Sequence, residues 1–177
     1  MIFETDRLII RELKEADAKH FAEMATDGSL KDVSLDEDCG KWIDEWIVDA
    51  KELLRNDDPT KEYLAYTIQL KSSKTVIGSV GCSYYEDLKK VGITYFIGAK
   101  FRNNGYASEA VTAYLEYFFQ HYSINEIIAT VREENVSSWK VIEKSGFDLT
   151  ERKMYKDLND EFEELYRFYS ITKQLQF

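Results

Sequence analysis

The chain of 177 residues carries a formal net charge of −10, and its length suits a single domain, residues 1–177, that buries about two thirds of its unfolded surface. The acidic excess argues against nucleic acid as a partner, because phosphate backbones are bound through lysine and arginine, and it favours a cationic ligand such as an amine. With two cysteines, no histidine cluster, no leader peptide and no apolar run of membrane-spanning length, we expect a cytoplasmic protein without a metal site or a membrane partner.

The N-terminal third predicts one strand and two amphipathic helices. Residues 8–11 alternate apolar and charged side chains, as expected of a strand, and residues 15–26 repeat apolar side chains at helical spacing. An acidic loop over residues 27–40 leads to a second helix over residues 41–56. The stripe of tryptophan and aliphatic side chains on this second helix is typical of a helix that packs on a core, although one tryptophan facing a substrate stays open.

The middle of the chain predicts a hairpin followed by a strand, a helix and another strand. Residues 62–70 and 75–83 alternate apolar and polar side chains on either side of a short polar turn. A charged loop then leads to a strand over residues 91–97, and the helix after Gly105 has an apolar face that predicts packing against a sheet. Residues 127–131 are mostly apolar and predict a buried strand.

The last segments predict a helix and a closing hairpin. Asn135 is a suitable N-cap for a helix that ends at Gly146, a residue that readily adopts the left-handed conformation. Residues 147–157 and 163–171 then predict two strands around a turn at residues 158–160. Strand pairing across an interface is compatible with this hairpin, so a monomer and a homodimer both stay open.

The turn that follows residues 91–97 is the most informative part of the chain. Its backbone N–H groups stand at a helix start, where unpaired donors and about half a positive charge suit a phosphate group. Gly105 lets the backbone approach such a group closely, and Arg102 adds a charged side chain that pairs well with phosphate oxygens. An ordinary connection between a strand and a helix has the same local pattern, so context must decide. The residues of this turn are Arg102, Asn103, Asn104, Gly105, Tyr106 and Ala107.

Four segments of the chain carry a resemblance to a known family. They are TYFIGAKFRNNGYASEA (residues 94–110), TDRLIIRE (residues 5–12), VIGSVG (residues 76–81) and ENVSSWKVIEKSGF (residues 134–147). The first resembles the acetyl-CoA-binding motif of the GNAT superfamily of N-acetyltransferases, in which glutamine or arginine precedes a glycine by three residues. The other segments match the family in order and spacing. The nearest branch acetylates the N-termini of ribosomal proteins.

The resemblance implies a three-layer α/β fold, in which about four helices flank a mixed, mainly antiparallel sheet of about seven strands. It implies acetyl-CoA as the cosubstrate and a primary amine, such as a protein N-terminus, as the acceptor. Backbone N–H groups near Phe96 and Ile97, where their strand splays from its neighbour, would hold the pantetheine and the acetyl carbonyl. The other implied cofactor-binding residues are Arg102, Asn103, Asn104, Gly105, Tyr106, Ala107, Ser108 and Asn135.

The catalytic residues that the resemblance implies are Asn135 and Ser138. The asparagine would contact the pantetheine arm, and the serine would protonate or hold the departing thiolate. Many family members use a tyrosine seven residues after the asparagine, but here that position is Ile142. Tyr95 and Tyr106 are less favoured substitutes for the acid, because tyrosines in such strands and helices usually serve packing.

The general base depends on the acceptor. At pH 7, deprotonation costs about 4 to 5 kcal/mol for a lysine-like amine and about 1 kcal/mol for an α-amine, given reference pKa values of about 10.4 and 7.7 to 8. An α-amine therefore needs little help, whereas a lysine or a polyamine needs a committed base. Glu133, Glu134, Glu86 and Asp87 are candidates from their positions beside predicted strands, and each is also explained as a solvated charge.

No Cys-His or Ser-His-Asp arrangement predicts a covalent intermediate, so we expect direct transfer of the acetyl group in a ternary complex. Small amines such as a polyamine or an aminoglycoside are alternative acceptors. A catalytically inactive CoA-binding module with a regulatory or interaction role is the alternative from a different class, because the sequence assures neither an acid nor a base.

Overall fold

The computed structural model describes residues 2–157 and 160–173, which contain one sheet of eight strands in the order β1-β2-β3-β4-β5-β6-β8-β7. The strands are β1 (Ile2–Glu4), β2 (Leu8–Glu12), β3 (Tyr63–Leu70), β4 (Val76–Tyr85), β5 (Lys90–Ile97), β6 (Glu126–Arg132), β7 (Asp148–Tyr155) and β8 (Glu164–Thr172). The helices are α1 (Asp17–Ala25), α2 (Ile43–Asn56), α3 (Tyr106–His121) and α4 (Val136–Lys144). None of the helices in the described ranges has the length and apolar character to cross a bilayer.

The expected mixed, mainly antiparallel sheet with four helices is confirmed, and it has eight strands where about seven were predicted. The additional strand is β1, which pairs antiparallel with β2. Its three residues are too few to show an alternating pattern in the sequence. Two residues of the predicted closing turn, Leu158 and Asn159, lie outside the described residues.

The central strands of the sheet are buried on both faces, whereas the edge strand β7 is largely exposed. In β3, Leu64 and Tyr66 belong to the core cluster that packs against α3 and α4, whereas Ala65 between them belongs to the cluster that packs against α1 and α2. The inward face predicted for α3 is confirmed, and the buried side chains of this helix are Ala110, Val111, Tyr114, Leu115 and Phe118. The helices are therefore held on the sheet mainly by apolar burial.

A buried ion pair ties α1 to the sheet. The Arg11 guanidinium binds both carboxylate oxygens of Asp17 at 2.8 Å, and this carboxylate also accepts from the Lys14 N–H at 2.9 Å and the Thr67 hydroxyl at 2.7 Å. Burial by itself would raise the pKa of Asp17, but the hydrogen bonds from Arg11, Lys14 and Thr67 outweigh it, and the pKa is lowered. Because Asp17 is only 2% exposed, its charge depends on these partners.

Strands β5 and β6 separate after a short contact. They are neighbours in the sheet, but their parallel register is a single pair, Gly92 opposite Ile128. Strand β5 meanwhile stays paired with β4 as far as Ile97. Gly78 of β4 permits this close pairing, because a Cβ at that position would overlap the carbonyl oxygen of Phe96. The end of β5 therefore borders a gap in the sheet.

Candidate active site

Two adjoining cavities lie at the gap between β5 and β6. The smaller has a volume of about 300 Å³ and extends to the start of α3, and the larger has a volume of about 400 Å³ and extends along β6. The residues that line both cavities are Asp32, Val33, Tyr95, Phe96, Asn135 and Ser138. We call the last four of these the shared wall. A group placed at the shared wall would be in reach of ligands in both cavities.

The smaller cavity is lined by nearly all the cofactor-binding and catalytic residues that the resemblance implies. Of these residues, Asn104 alone does not line it. The residues that do are Phe96, Ile97, Arg102, Asn103, Gly105, Tyr106, Ala107, Ser108, Asn135 and Ser138. The chain thus brings the end of β5, the start of α3 and the start of α4 together around one cavity.

The start of α3 has the geometry of an anion site. Gly105 is the N-cap residue with a φ of 77°, Asn103 has a φ of 62°, and Gly105 provides no side chain to cap the helix. The first N–H groups of a helix have no partners within the helix, and here the residues at the helix start, Tyr106, Ala107 and Ser108, line the smaller cavity. A diphosphate fits such a set of donors, which the helix dipole reinforces.

The peptide of Ile97 faces the gap. The N–H of Gly98 donates to the carbonyl oxygen of Ile77 in β4 at 2.9 Å. Because peptide groups alternate in direction along an antiparallel strand, the N–H of Ile97 points away from β4 and that of Phe96 points toward it. Of the two N–H groups expected to meet the pantetheine, Ile97 therefore has the suitable direction, and Phe96 contributes its side chain to the cavity wall.

Arg102 makes contacts within the protein. Its Nε donates to the carbonyl oxygen of Ile97 at 3.0 Å, and its Nη2 donates to that of Ser29 at 2.9 Å. The side chain therefore joins the end of β5 to the loop after α1, which closes one side of the smaller cavity. Asn104 similarly donates to the carbonyl oxygens of Phe101 and Arg102, at 3.2 and 2.9 Å. These contacts give Arg102 a structural role, and its contact with phosphate stays a prediction.

An N-terminal brace, formed by Thr5 and Arg7, supports the start of α3. The Arg7 Nε donates to Glu109 at 2.7 Å, Nη1 donates to the carbonyl oxygen of Asn104 at 2.9 Å, and the guanidinium lies 4.6 Å from the ring centroid of Tyr106. The Thr5 hydroxyl also donates to Glu109. Burial would raise the pKa of Glu109, but these hydrogen bonds outweigh it and lower the pKa. The brace neutralises a carboxylate that would otherwise repel an anion at this helix start.

Ser138 and Tyr95 are paired at the shared wall. Their hydroxyl oxygens are 2.8 Å apart, and the Tyr95 hydroxyl also lies 3.0 Å from the carbonyl oxygen of Ser138. Burial raises the pKa of Tyr95 to about 12, so the phenol keeps its proton at neutral pH. The predicted cap is confirmed, since Asn135 Oδ1 accepts from the Ser138 N–H at 3.1 Å. Because the cap uses the side-chain oxygen of Asn135, the NH₂ group of the same amide stays available to donate a hydrogen bond to a ligand.

The four acidic residues considered as bases from the sequence do not line either cavity. Glu133 pairs with Arg167 at 2.6 Å, and its pKa is lowered by that hydrogen bond. Glu86 and Asp87 also bond to neighbouring side chains. Neither these three nor Glu134 lines the larger or the smaller cavity. The structure therefore places none of the four candidate bases on a cavity wall.

The carboxylates that line the larger cavity come from other segments. Asp32 lies in the loop after α1, and Asp157 and Asp160 lie between β7 and β8. Asp160 accepts from Tyr166 at 2.6 Å and pairs with Arg132. Sequence patterns did not reveal this group, because β8 lies between β6 and β7 in the sheet and only the topology brings the closing hairpin beside β6.

Residues 7–148 match the Acetyltransferase (GNAT) domain family. The chain is 30% identical over 149 residues to an uncharacterised N-acetyltransferase, YnaD, of Bacillus subtilis, and the match covers 82% of each chain. Similar solved structures include an acetyltransferase of Salmonella typhimurium that modifies the N-terminal serine of a 50S ribosomal subunit protein. This structure aligns with a TM-score of 0.81 and 14% identity, and the alignment covers 98% of this chain and 100% of that one.

A second similar structure is the microcin C7 self-immunity acetyltransferase MccE in complex with acetyl-CoA and AMP, with a TM-score of 0.79, 14% identity, and coverage of 96% of this chain and 94% of that one. At these identities the two structures establish the fold, and the family match and the Bacillus relative establish the class. The chain belongs to the GNAT family of acetyltransferases. It is an acetyl-CoA-dependent N-acetyltransferase, as the sequence predicted.

Proposed function

We propose that this enzyme transfers the acetyl group directly from acetyl-CoA, bound in the smaller cavity, to a primary amine bound in the larger cavity, in a ternary complex. The observation that carries the proposal is the shared wall of Tyr95, Phe96, Asn135 and Ser138, because it adjoins both cavities. Direct transfer needs donor and acceptor to meet at one point without a covalent enzyme intermediate.

Each part of the smaller cavity has a role in this proposal. The N–H groups at the start of α3 hold the diphosphate, and Gly105 allows the close approach. The N–H of Ile97 and the amide NH₂ of Asn135 hold the pantetheine, which directs the thioester to the shared wall. Arg102 and the N-terminal brace fix the loop in the shape that these contacts require.

We propose that Ser138 gives a proton to the departing thiolate and takes one from the amine nitrogen of the tetrahedral intermediate, so that the proton lost by the amine ends on the CoA sulfur. Tyr95 orients the serine. The phenol has one proton, which it can give either to the Ser138 carbonyl oxygen or to Ser138 Oγ, since both lie within 3.0 Å. When Tyr95 donates to Oγ, the serine proton is free to point at the sulfur. When Tyr95 donates to the carbonyl, its oxygen can accept the serine proton instead. The proton of Tyr95 therefore influences the direction in which Ser138 donates.

We expect Ser138→Ala to lower kcat about 100-fold and Tyr95→Phe to lower it about tenfold, because general acid catalysis typically contributes such factors. Both variants should change the KM for acetyl-CoA less than about threefold, since they leave the diphosphate contacts in place. Tyr155→Phe is the matched control, because it also removes a hydrogen-bonded hydroxyl, 3.0 Å from Asp87, outside both cavities. An unchanged kcat for Ser138→Ala would rule out the serine as the acid.

The acceptor is proposed to be either a protein N-terminal α-amine or a small-molecule amine. The Salmonella structure neighbour modifies an N-terminal serine, which supports peptides as candidates. The test measures thiol release from acetyl-CoA with a panel of amines and N-terminal peptides, alongside thermal stabilisation by CoA. Stabilisation by CoA without turnover of any acceptor would favour an inactive CoA-binding module over the proposed function.

A further inference from the structure

The larger cavity is negatively charged. The ionisable acids among its described lining residues are Asp32, Asp157 and Asp160, and its one basic residue is Arg132, which gives a formal charge of −2. Burial raises the pKa of the lining residues Tyr63 and Tyr85 to about 12, so these phenols add neither charge nor a titrating group at neutral pH. Such a cavity attracts a cationic ligand and disfavours an anion.

Each nitrogen of the Arg132 guanidinium has a carboxylate partner within the protein. It pairs with the buried Asp160, with Asp32 at 3.2 Å and with Glu164 at 3.3 Å, and its Nε also lies 3.2 Å from the Tyr166 hydroxyl. The hydrogen bond with Asp160 is the largest of the effects that raise the pKa of Arg132. An incoming carboxylate would therefore compete with three carboxylates that already compensate the positive charge of Arg132.

Aromatic side chains form much of the remaining wall. The rings of Trp46 on α2 and Tyr63 on β3 are stacked, with an interplanar angle of 4° and a centroid separation of 6.0 Å. The expectation that one tryptophan of this helix faces a ligand site applies to Trp46. The other aromatic residues that line the larger cavity are Tyr84, Tyr85, Tyr95, Phe96 and Tyr166. Flat apolar groups pack well in such surroundings, and aromatic faces also attract an ammonium group.

We infer that the acceptor is a cationic primary amine that carries an aromatic or similarly flat apolar group and has no carboxylate on the carbon next to the amine. This inference rests on the proposed function, since it takes the larger cavity as the acceptor site. It excludes free α-amino acids and admits arylalkylamines and peptides with an aromatic first residue. A cavity of about 400 Å³ is large enough for such a ligand.

The test compares kcat/KM, measured by thiol release, for phenethylamine, phenylalanine and butylamine. Phenylalanine adds only the carboxylate to phenethylamine, and butylamine lacks the ring. We expect the kcat/KM for phenethylamine to exceed that for each of the other two compounds at least about tenfold. The carboxylate of phenylalanine is repelled by the acidic residues of the larger cavity, and butylamine loses the aromatic contacts. Calorimetric binding of the same compounds to the enzyme with CoA gives the same comparison when chemistry is slow.

A pair of variants identifies the charge that causes the discrimination. Asp32→Asn removes a carboxylate from the cavity and a partner from Arg132, so it should reduce the preference for phenethylamine over phenylalanine at least about threefold. Asp38→Asn is the matched control, because Asp38 lies in the same loop, is exposed and lines neither cavity, and the preference should not change.

Two results would overturn the inference while leaving the proposed function intact. One is a kcat/KM for phenylalanine equal to that for phenethylamine, and the other is an equal value for butylamine. Failure of the proposed function is a different result, in which CoA binds and no amine or peptide is acetylated.

Discussion

Gly105→Glu is expected to lower the affinity for CoA at least about 100-fold, which corresponds to about 2.7 kcal/mol. Gly105 has a φ of 77°, a conformation that strains any residue with a side chain, and the new carboxylate would stand where the diphosphate is proposed to bind. A Cβ at this position meets only the Arg7 guanidinium, at 3.5 Å, so the variant should still fold. Isothermal calorimetry with CoA gives the affinity directly.

Gly146→Glu is the control for backbone strain and added charge. Gly146 also has a positive φ, of 91°, but it follows α4 and lines neither cavity. We expect a similar loss of stability with a CoA affinity that stays within about twofold of the unmodified protein. Equal CoA affinities for the two variants would remove the start of α3 as the diphosphate site.

Asp17→Ala is expected to lower the free energy of unfolding by about 3 to 5 kcal/mol, the usual cost of removing one partner from a buried ion pair. Arg11 is only 6% exposed, and the substitution removes the carboxylate that its guanidinium binds at 2.8 Å. It also removes the acceptor for the Thr67 hydroxyl. Urea denaturation followed by circular dichroism measures the change.

The double variant Arg11→Met with Asp17→Leu is the matched control. Because it removes both charges, it should be more stable than Asp17→Ala alone. The pH dependence gives a second check. Since the folded-state pKa of Asp17 is lowered from 3.8, its contribution is present at neutral pH and is lost as the pH falls through that lowered pKa. A destabilisation below about 1 kcal/mol would contradict this account of the pair.

The sequence predicted the elements whose burial leaves a periodic signal. Helix α3 and strands β3 to β6 show such periods, and their bounds agree with the structure to within about two residues. Strand β1 was missed because three residues show no period. The cap made by Asn135 and the left-handed Gly146 were predicted because both are local motifs with specific residue requirements.

The geometry of the candidate site was predictable where the backbone conformation follows from local sequence, and unpredictable where it depends on distant contacts. The loop that ends at Gly105 is of the first kind. The contact of Arg7 with Glu109 joins residues 102 positions apart, so the segment TDRLIIRE indicated a family without indicating this role. Asp160 and Arg132 meet through the sheet order, and the hydroxyl pair of Tyr95 and Ser138 joins two elements 43 residues apart.

The shared wall also bears on the order in which the two substrates bind. With the carrier seated as proposed, its thioester would cover Tyr95 and Ser138 and so complete one side of the larger cavity. An amine that arrived earlier would meet an unfinished surface and no electrophile. The arrangement therefore suits a compulsory-order kinetic scheme, in which acetyl-CoA binds first and CoA leaves last. In such a scheme CoA is a product inhibitor that competes with acetyl-CoA.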